Sequence, residues 1–157
     1  MWEKLLESSI DLAIKHHKGQ VDKGGNPYIQ HCLEVMEGLS TIQEKNVGVL
    51  HDAIEDTDLT FNKLRELNYP SIIIEALDSV TRREGETRDQ FIYRCSQNRI
   101  GKKVKMVDLG CNVNLSRLPN PTAKDFQRNQ MYKRDILIFT GDNWRFNGKK
   151  FKQKNMR

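Results

Sequence analysis

Leu5, Leu6, Ile10, Ala13 and Ile14 recur at spacings of three and four, with Ser9 and His17 on the same stripe. That period sets one helical face against a core and predicts a helix over about residues 2–18. Gly19, Gly24, Gly25, Asn26 and Pro27 then form a turn-rich loop ending at Tyr28-Ile29-Gln30-His31. Glycine permits positive φ there, and the residue before proline is pushed out of the helical region. A second helix is expected through Leu33, Val35, Met36, Leu39 and Ile42. A third runs through Val47, Val49, Leu50, Ala53 and Ile54 and carries His51, Asp52, Glu55 and Asp56. Thr60 has the chemistry of an N-cap for a short helix holding Phe61, Leu64 and Leu67.

Pro70 opens the next helix, through Ile72, Ile73, Ile74, Ala76 and Leu77 to Val80. Three consecutive isoleucines also suit a strand, but no partner strand is evident, so helix is favoured. Thr87 begins a helix with Phe91, Ile92 and Tyr93, and Gly101 separates it from a buried helix, from Val104 to Asn114, that presents Asp108 and Asn112. Pro119 and Pro121 break the chain before a last long helix with Phe126, Met131, Tyr132, Ile136, Leu137 and Phe139. The expected fold is an all-α bundle of roughly seven or eight helices. The alternation of Trp144, Phe146 and Phe151 around Gly148 adds a small C-terminal β-hairpin.

A chain of 157 residues supports one compact domain, expected over residues 1–144. No apolar run approaches the roughly 20 residues of a membrane helix. Glu3, Lys4, Glu7 and Asp11 exclude a secretory signal in the first segment, so a cytoplasmic protein is expected. Cys32, Cys95 and Cys111 lack the paired C-x-x-C spacing of a zinc or redox site and are expected to be reduced and structural. The net charge of +5 comes from the end of the chain: Arg145, Lys149, Lys150, Lys152, Lys154 and Arg157 follow Trp144 with no acid among them. Residues 145–157 therefore read as a basic tail, either solvated or an anchor for a polyanion such as an RNA end.

His51-Asp52 alone is a weak signal, but its surroundings add to it. On a continuous helix His51 and Glu55 lie one turn apart, and Asp52 and Asp56 repeat that spacing on the neighbouring stripe. Acids so crowded repel one another; a divalent cation would compensate, and a solvated acidic patch is the alternative. Asp108 is an acid in an otherwise apolar turn with Val104, Met106, Val107 and Leu109. Such a group needs a cation, a hydrogen bond or an ion pair, and Lys105 three residues earlier offers the last. His31 is a further candidate ligand, and Asn112 lies one turn beyond Asp108; for His16 and His17 a packing or surface role is expected.

Four ordered motifs connect these residues: Gly-Asn-Pro-Tyr-Ile-Gln-His at 25–31, Leu-His-Asp-Ala-Ile-Glu-Asp-Thr at 50–57, Val-Thr-Arg-Arg at 80–83 and Val-Lys-Met-Val-Asp-Leu-Gly-Cys-Asn at 104–112. Together they resemble the HD superfamily of metal-dependent phosphohydrolases, most closely its RelA/SpoT-type hydrolase branch. Leu-Ser-Arg-Leu-Pro-Asn-Pro-Thr at 115–122 looks like the short single-domain members of that branch. The resemblance implies an HD-domain helical bundle and a metal, usually manganese, held by His31, His51, Asp52 and Asp108, with Glu55 and Asp56 acting on the attacking water. It implies removal of the 3′ pyrophosphate from guanosine tetra- or pentaphosphate, the alarmones, without a synthetase domain. Mixed imidazole and carboxylate ligands suit manganese, iron or zinc better than magnesium, and Mn²⁺ is the expected ion with other divalent transition metals as alternatives. Lys23 and Asn112 are candidate substrate contacts, with Lys18 and Arg82 as further sources of positive charge.

The sequence departs from that branch at Asp22, where an arginine commonly stacks on guanine, and at Cys32, Leu109 and Asn114. The Asp22 departure keeps a second substrate class open: an adenosine alarmone, NADPH or a 3′-pyrophosphorylated RNA end. A nucleotide sensor with weak turnover is the non-enzymatic alternative.

Overall fold

The computed structural model describes residues 1–113, 115 and 118–140, and the backbone of 144–146 and 151–153. Asn114 and the side chains of the basic tail lie outside the described residues. Nine helices occur among the described residues: α1 (Trp2–His16), α2 (Ile29–Glu37), α3 (Ile42–Leu50), α4 (Ala53–Asp56), α5 (Phe61–Glu66), α6 (Ser71–Ser79), α7 (Arg88–Ser96), α8 (Arg99–Asn112) and α9 (Ala123–Thr140). Two short strands, β1 (Trp144–Phe146) and β2 (Phe151–Gln153), pair antiparallel with Arg145 opposite Lys152. The all-α reading therefore holds, with a hairpin where the aromatic alternation placed it. No helix among the described residues is long and apolar enough to cross a membrane.

Helix α3 is the hub of the bundle, touching α1, α2, α6 and α8. Its start is fixed by a capping box, in which Thr41 accepts from the Glu44 amide and the Glu44 carboxylate accepts from the Thr41 amide. Ile42 thus opens α3 rather than closing α2. Val47, Val49 and Leu50 are fully buried, and Gly48 lets α2 come close: a Cβ there would lie 2.4 Å from Leu39 Cδ1. The Ile72–Ile74 run is helical, with Ile73 fully buried.

Two further boundary expectations fail for local reasons. The third helix does not run on through Ile54; α3 stops at Leu50 and α4 restarts at Ala53. The Gly48 carbonyl, which would continue the helix by accepting from Asp52, instead faces the His51 backbone amide at 3.4 Å and His51 Nδ1 at 2.6 Å. Gly101 is not a separator but lies in the first turn of α8, its amide capped by Asn98 Oδ1 at 2.8 Å. It is small because α6 passes there, and an added Cβ would fall 1.9 Å from Ser79 Oγ. Helix α9 packs along α8 and is tied to α7 by Arg88, which donates from Nε and Nη2 to the fully buried Asp135 at 3.0 and 2.7 Å.

Candidate functional site

The break after α3 has a chemical result. Without the helical hydrogen bond of Asp52, His51 becomes the C-cap of α3 and Asp52 the N-cap of α4, and both side chains turn to one point. His31 reaches the same point from the first turn of α2, and Asp108 from the middle of α8. One nitrogen or oxygen from each of these four residues lies within 4.8 Å of all the others. The four positions named by the sequence motifs are thus one cluster.

The donor set fits a divalent transition metal. A carbonyl can only accept, so the Gly48 contact places the proton of neutral His51 on Nδ1 and leaves Nε2 with a lone pair. That Nε2 is buried 3.0 Å from Asp52 Oδ2 and 3.3 Å from Asp108 Oδ1, yet it has no well-directed hydrogen-bond partner among the described residues. Such convergence suits atoms that share a cation. His31 Nε2 lies 2.9 Å from the same Asp108 oxygen. Burial opposes charge on His51, but Asp52 and Asp108 outweigh it and hold its pKa well above the ordinary value. Burial likewise opposes ionisation of Asp108, and Lys105 and His51 overcome it, holding that carboxyl well below its ordinary range. A divalent ion supplies in one charge what protons and lysine supply here in several.

Lys105 is both the ion-pair partner the sequence allowed and a neighbour of the ligands, with Nζ 2.9 Å from Asp108 Oδ2. The other Asp108 oxygen accepts from Asn112 Nδ2 at 3.2 Å. Tyr28 is a member that residue chemistry alone did not single out. Its hydroxyl donates to Asp52 Oδ2, and its ring lies between those of His17 and His31. The Pro-Tyr-x-x-His spacing was the available signal. His17 is a packing residue, buried with Nδ1 at 2.7 Å from Gln20 Oε1. His16 lies 2.7 Å from Asp58 at the surface.

A cavity of about 370 Å³ adjoins the cluster through His31, and Tyr28 also lines it. Lys23 and Asn112, the expected substrate contacts, both line it. Lys23 is held by Asp125 at 3.3 Å. Asp125, Arg128 and Tyr132, spaced by three and four on α9, also line the cavity. They were not anticipated, although their spacing of three and four was visible. Asp22 also borders the cavity, but its Oδ1 is occupied, accepting from the Gly24 and Asn26 amides at 2.9 Å each. Its carboxylate builds the loop. Arg82 is directed elsewhere, onto the Glu86 carbonyl.

Glu55 and Asp56 lie on α4 at the exposed edge. Glu55 Oε1 accepts from the Arg82 backbone amide at 3.0 Å. Asp56 is placed by Gln20, whose side-chain amide donates to its carbonyl at 2.9 Å. Partial burial, then Asp52 and Glu55, push the Asp56 carboxyl up to about 6. A carboxyl in that range can take and return a proton near neutral pH.

No family model matches the chain. It is 29% identical over 141 residues to a mouse protein named guanosine-3′,5′-bis(diphosphate) 3′-pyrophosphohydrolase, covering 82% of this chain and 78% of that one. It is 37% identical over 82 residues to a GTP pyrophosphokinase of Myxococcus xanthus, spanning 50% of this chain but 11% of that protein. A solved structure, described as a metazoan ortholog of SpoT that hydrolyses ppGpp, superposes with a TM-score of 0.73 at 18% identity, covering 88% of this chain and 86% of that one.

Proposed function

The chain is a small relative of the RelA/SpoT hydrolases with their helical HD fold, and from that premise we propose that it is a metal-dependent 3′-pyrophosphohydrolase of guanosine 3′,5′-bis(diphosphate). The observation that carries this reading is the convergence of His31, His51, Asp52 and Asp108 on one point, with His31 shared between that cluster and the lining of a cavity of about 370 Å³. These four residues would hold Mn²⁺, which when bound acidifies water and withdraws charge from the phosphoryl group. Asp56, on α4 beside Asp52, accepts the proton of the attacking water, and Glu55 fixes that water's direction. The water oxygen bonds to the phosphorus attached to the ribose 3′ oxygen, the P–O3′ bond breaks, and the 3′ oxygen takes up a proton as the hydroxyl of the nucleoside diphosphate while pyrophosphate is released. Lys23 and Asn112 bind the nucleotide from the cavity wall, where an ammonium offsets the charge that develops on the leaving oxygens. Residues 1–144 form the catalytic domain, the basic tail from Arg145 is auxiliary, and the enzyme acts in the cytoplasm.

A second reading keeps this machinery and changes the nucleotide to an adenosine alarmone, NADPH or a 3′-pyrophosphorylated RNA end. The observation favouring it is Asp22, whose carboxylate is tied to loop amides where a base-stacking arginine is common. The test measures pyrophosphate and phosphate release with Mn²⁺ from guanosine tetraphosphate, its adenosine counterpart and NADPH, with His51→Ala as control. Release from the guanosine compound, lost in His51→Ala, is expected. Release from another compound alone would move the function to the second reading, and silence on all would overturn the first.

A further inference from the structure

We infer that Arg94, on α7 and away from the cavity lining, is a positioning residue for Glu55; the inference rests on the catalytic reading of Glu55 given above. Helix α4 has only four residues, and its Glu55 is exposed, so neither helical length nor packing fixes the direction of that carboxylate. What fixes it is one hydrogen bond, from the Arg82 amide to Oε1 at 3.0 Å. Arg82 belongs to the irregular connector between α6 and α7, whose turn requires Gly85 at φ +76°.

Two guanidinium groups organise that connector, Arg82 by donating to the Glu86 carbonyl and Arg94 by spanning the Glu86 carboxylate and two backbone carbonyls. Arg94 Nε donates to Glu86 Oε2 at 2.8 Å, and Nη2 donates to Glu86 Oε1 at 3.0 Å. Nη1 donates to the Asp78 carbonyl at 2.6 Å, and Nη2 also to the Thr81 carbonyl at 2.7 Å. The last contact is decisive. The Thr81 carbonyl and the Arg82 N–H are the two ends of a single peptide unit, planar and trans, so fixing one end fixes the other. The cation on the carbonyl oxygen also polarises that unit and strengthens the N–H as a donor to the carboxylate. A chain thus runs from the Arg94 guanidinium through the Thr81–Arg82 peptide to Glu55. Arg94 is half-shielded, its side chain 20% exposed, and Glu86 is 11% exposed, so the clamp is protected from competition by water.

The test is a double-mutant cycle in the full chain with Mn²⁺, using Arg94→Gln, Glu55→Gln and the pair. Arg94→Gln is expected to lower kcat by about tenfold with KM and Mn²⁺ affinity held within about twofold. In the Glu55→Gln background the same change should cost less than about twofold, because the group it positions is already disabled. The Arg82 amide proton resonance in ¹⁵N-labelled protein should move upfield in both single variants. If Arg94→Gln does not fold, Arg94→Lys, which keeps the charge but lacks the fork, takes its place in the cycle. Equal losses of kcat in both backgrounds, or an Arg82 resonance unmoved by the Arg94 change, would overturn the positioning role. Wild-type kcat in Glu55→Gln would instead overturn the catalytic reading on which it rests.

Discussion

Replacing Gly101 with alanine tests how closely the seat of α8 is matched to its neighbour. The new Cβ would lie 1.9 Å from Ser79 Oγ, 3.1 Å from Ser79 Cβ and 3.4 Å from Val80 Cγ1. Ser79 can swing its hydroxyl aside, but that hydroxyl is buried and donates to the Ala76 carbonyl at 2.6 Å. Losing the bond costs about 1 kcal/mol, and the remaining Cβ contact pushes α8 off α6, bringing the total to about 1–3 kcal/mol. Alanine's higher helix propensity returns up to about 1 kcal/mol. The net expectation is a loss of about 1–2 kcal/mol, or roughly 3–6 °C in Tm for a chain of this size. Asp108 lies about two turns along the same helix, so Mn²⁺ affinity should fall with stability. Urea melts and metal titrations measure both, and Ser79→Ala in the same chain should recover most of the loss. A Gly101→Ala protein as stable as the wild type would refute the close-approach argument.

Three further outcomes are expected. Because the Asp56 carboxyl is raised to about 6, its ionisation works against the fold: its contribution to stability is present below the unfolded value and lost as pH rises through about 6. Metal-free Asp56→Asn should therefore melt above the wild type at pH 7 and level with it at pH 4, while turnover, which needs the ionised carboxylate, falls on the acid side and is largely lost in the variant. Mn²⁺ at about 100 times its Kd should stabilise the protein by about 2.7 kcal/mol in thermal melts, and Asp108→Ala should abolish that shift. Asp135→Ala strands Arg88, which is 24% exposed, and should cost about 3 kcal/mol in urea denaturation without changing Mn²⁺ affinity.

Much of the bundle was legible because amphipathic periodicity and cap residues agree. Thr41, Thr60, Thr87 and Asn98 each accept an amide where a helix begins. The break at His51-Asp52 was not legible, since apolar spacing continues through Ala53 and Ile54 while a side chain on the Gly48 carbonyl ends the helix. Gly101 misled for a related reason: a glycine required by a neighbouring helix looks in sequence like one required by a turn. The positions of the four clustered donors were recognisable as motifs, but the cavity lining from α9 was not, because Asp125, Arg128 and Tyr132 acquire their meaning only from packing against α8. Asp22 read as a changed cavity residue, whereas its carboxylate serves the loop that carries Lys23.

The donors of the metal cluster are far apart along the chain, with His31 and Asp108 separated by 77 residues. A bound ion is therefore a cross-link closing a long loop, and the entropy of that closure must be met before the donors meet. Early helices alone cannot assemble the set, because the last carboxylate is carried by α8, which packs on α3 and α6. Loading is consequently a late event in folding, and during synthesis it must wait until residue 108 has left the ribosome. An ion bound there would report that the two halves of the bundle have come together in register, and would act as a check on assembly.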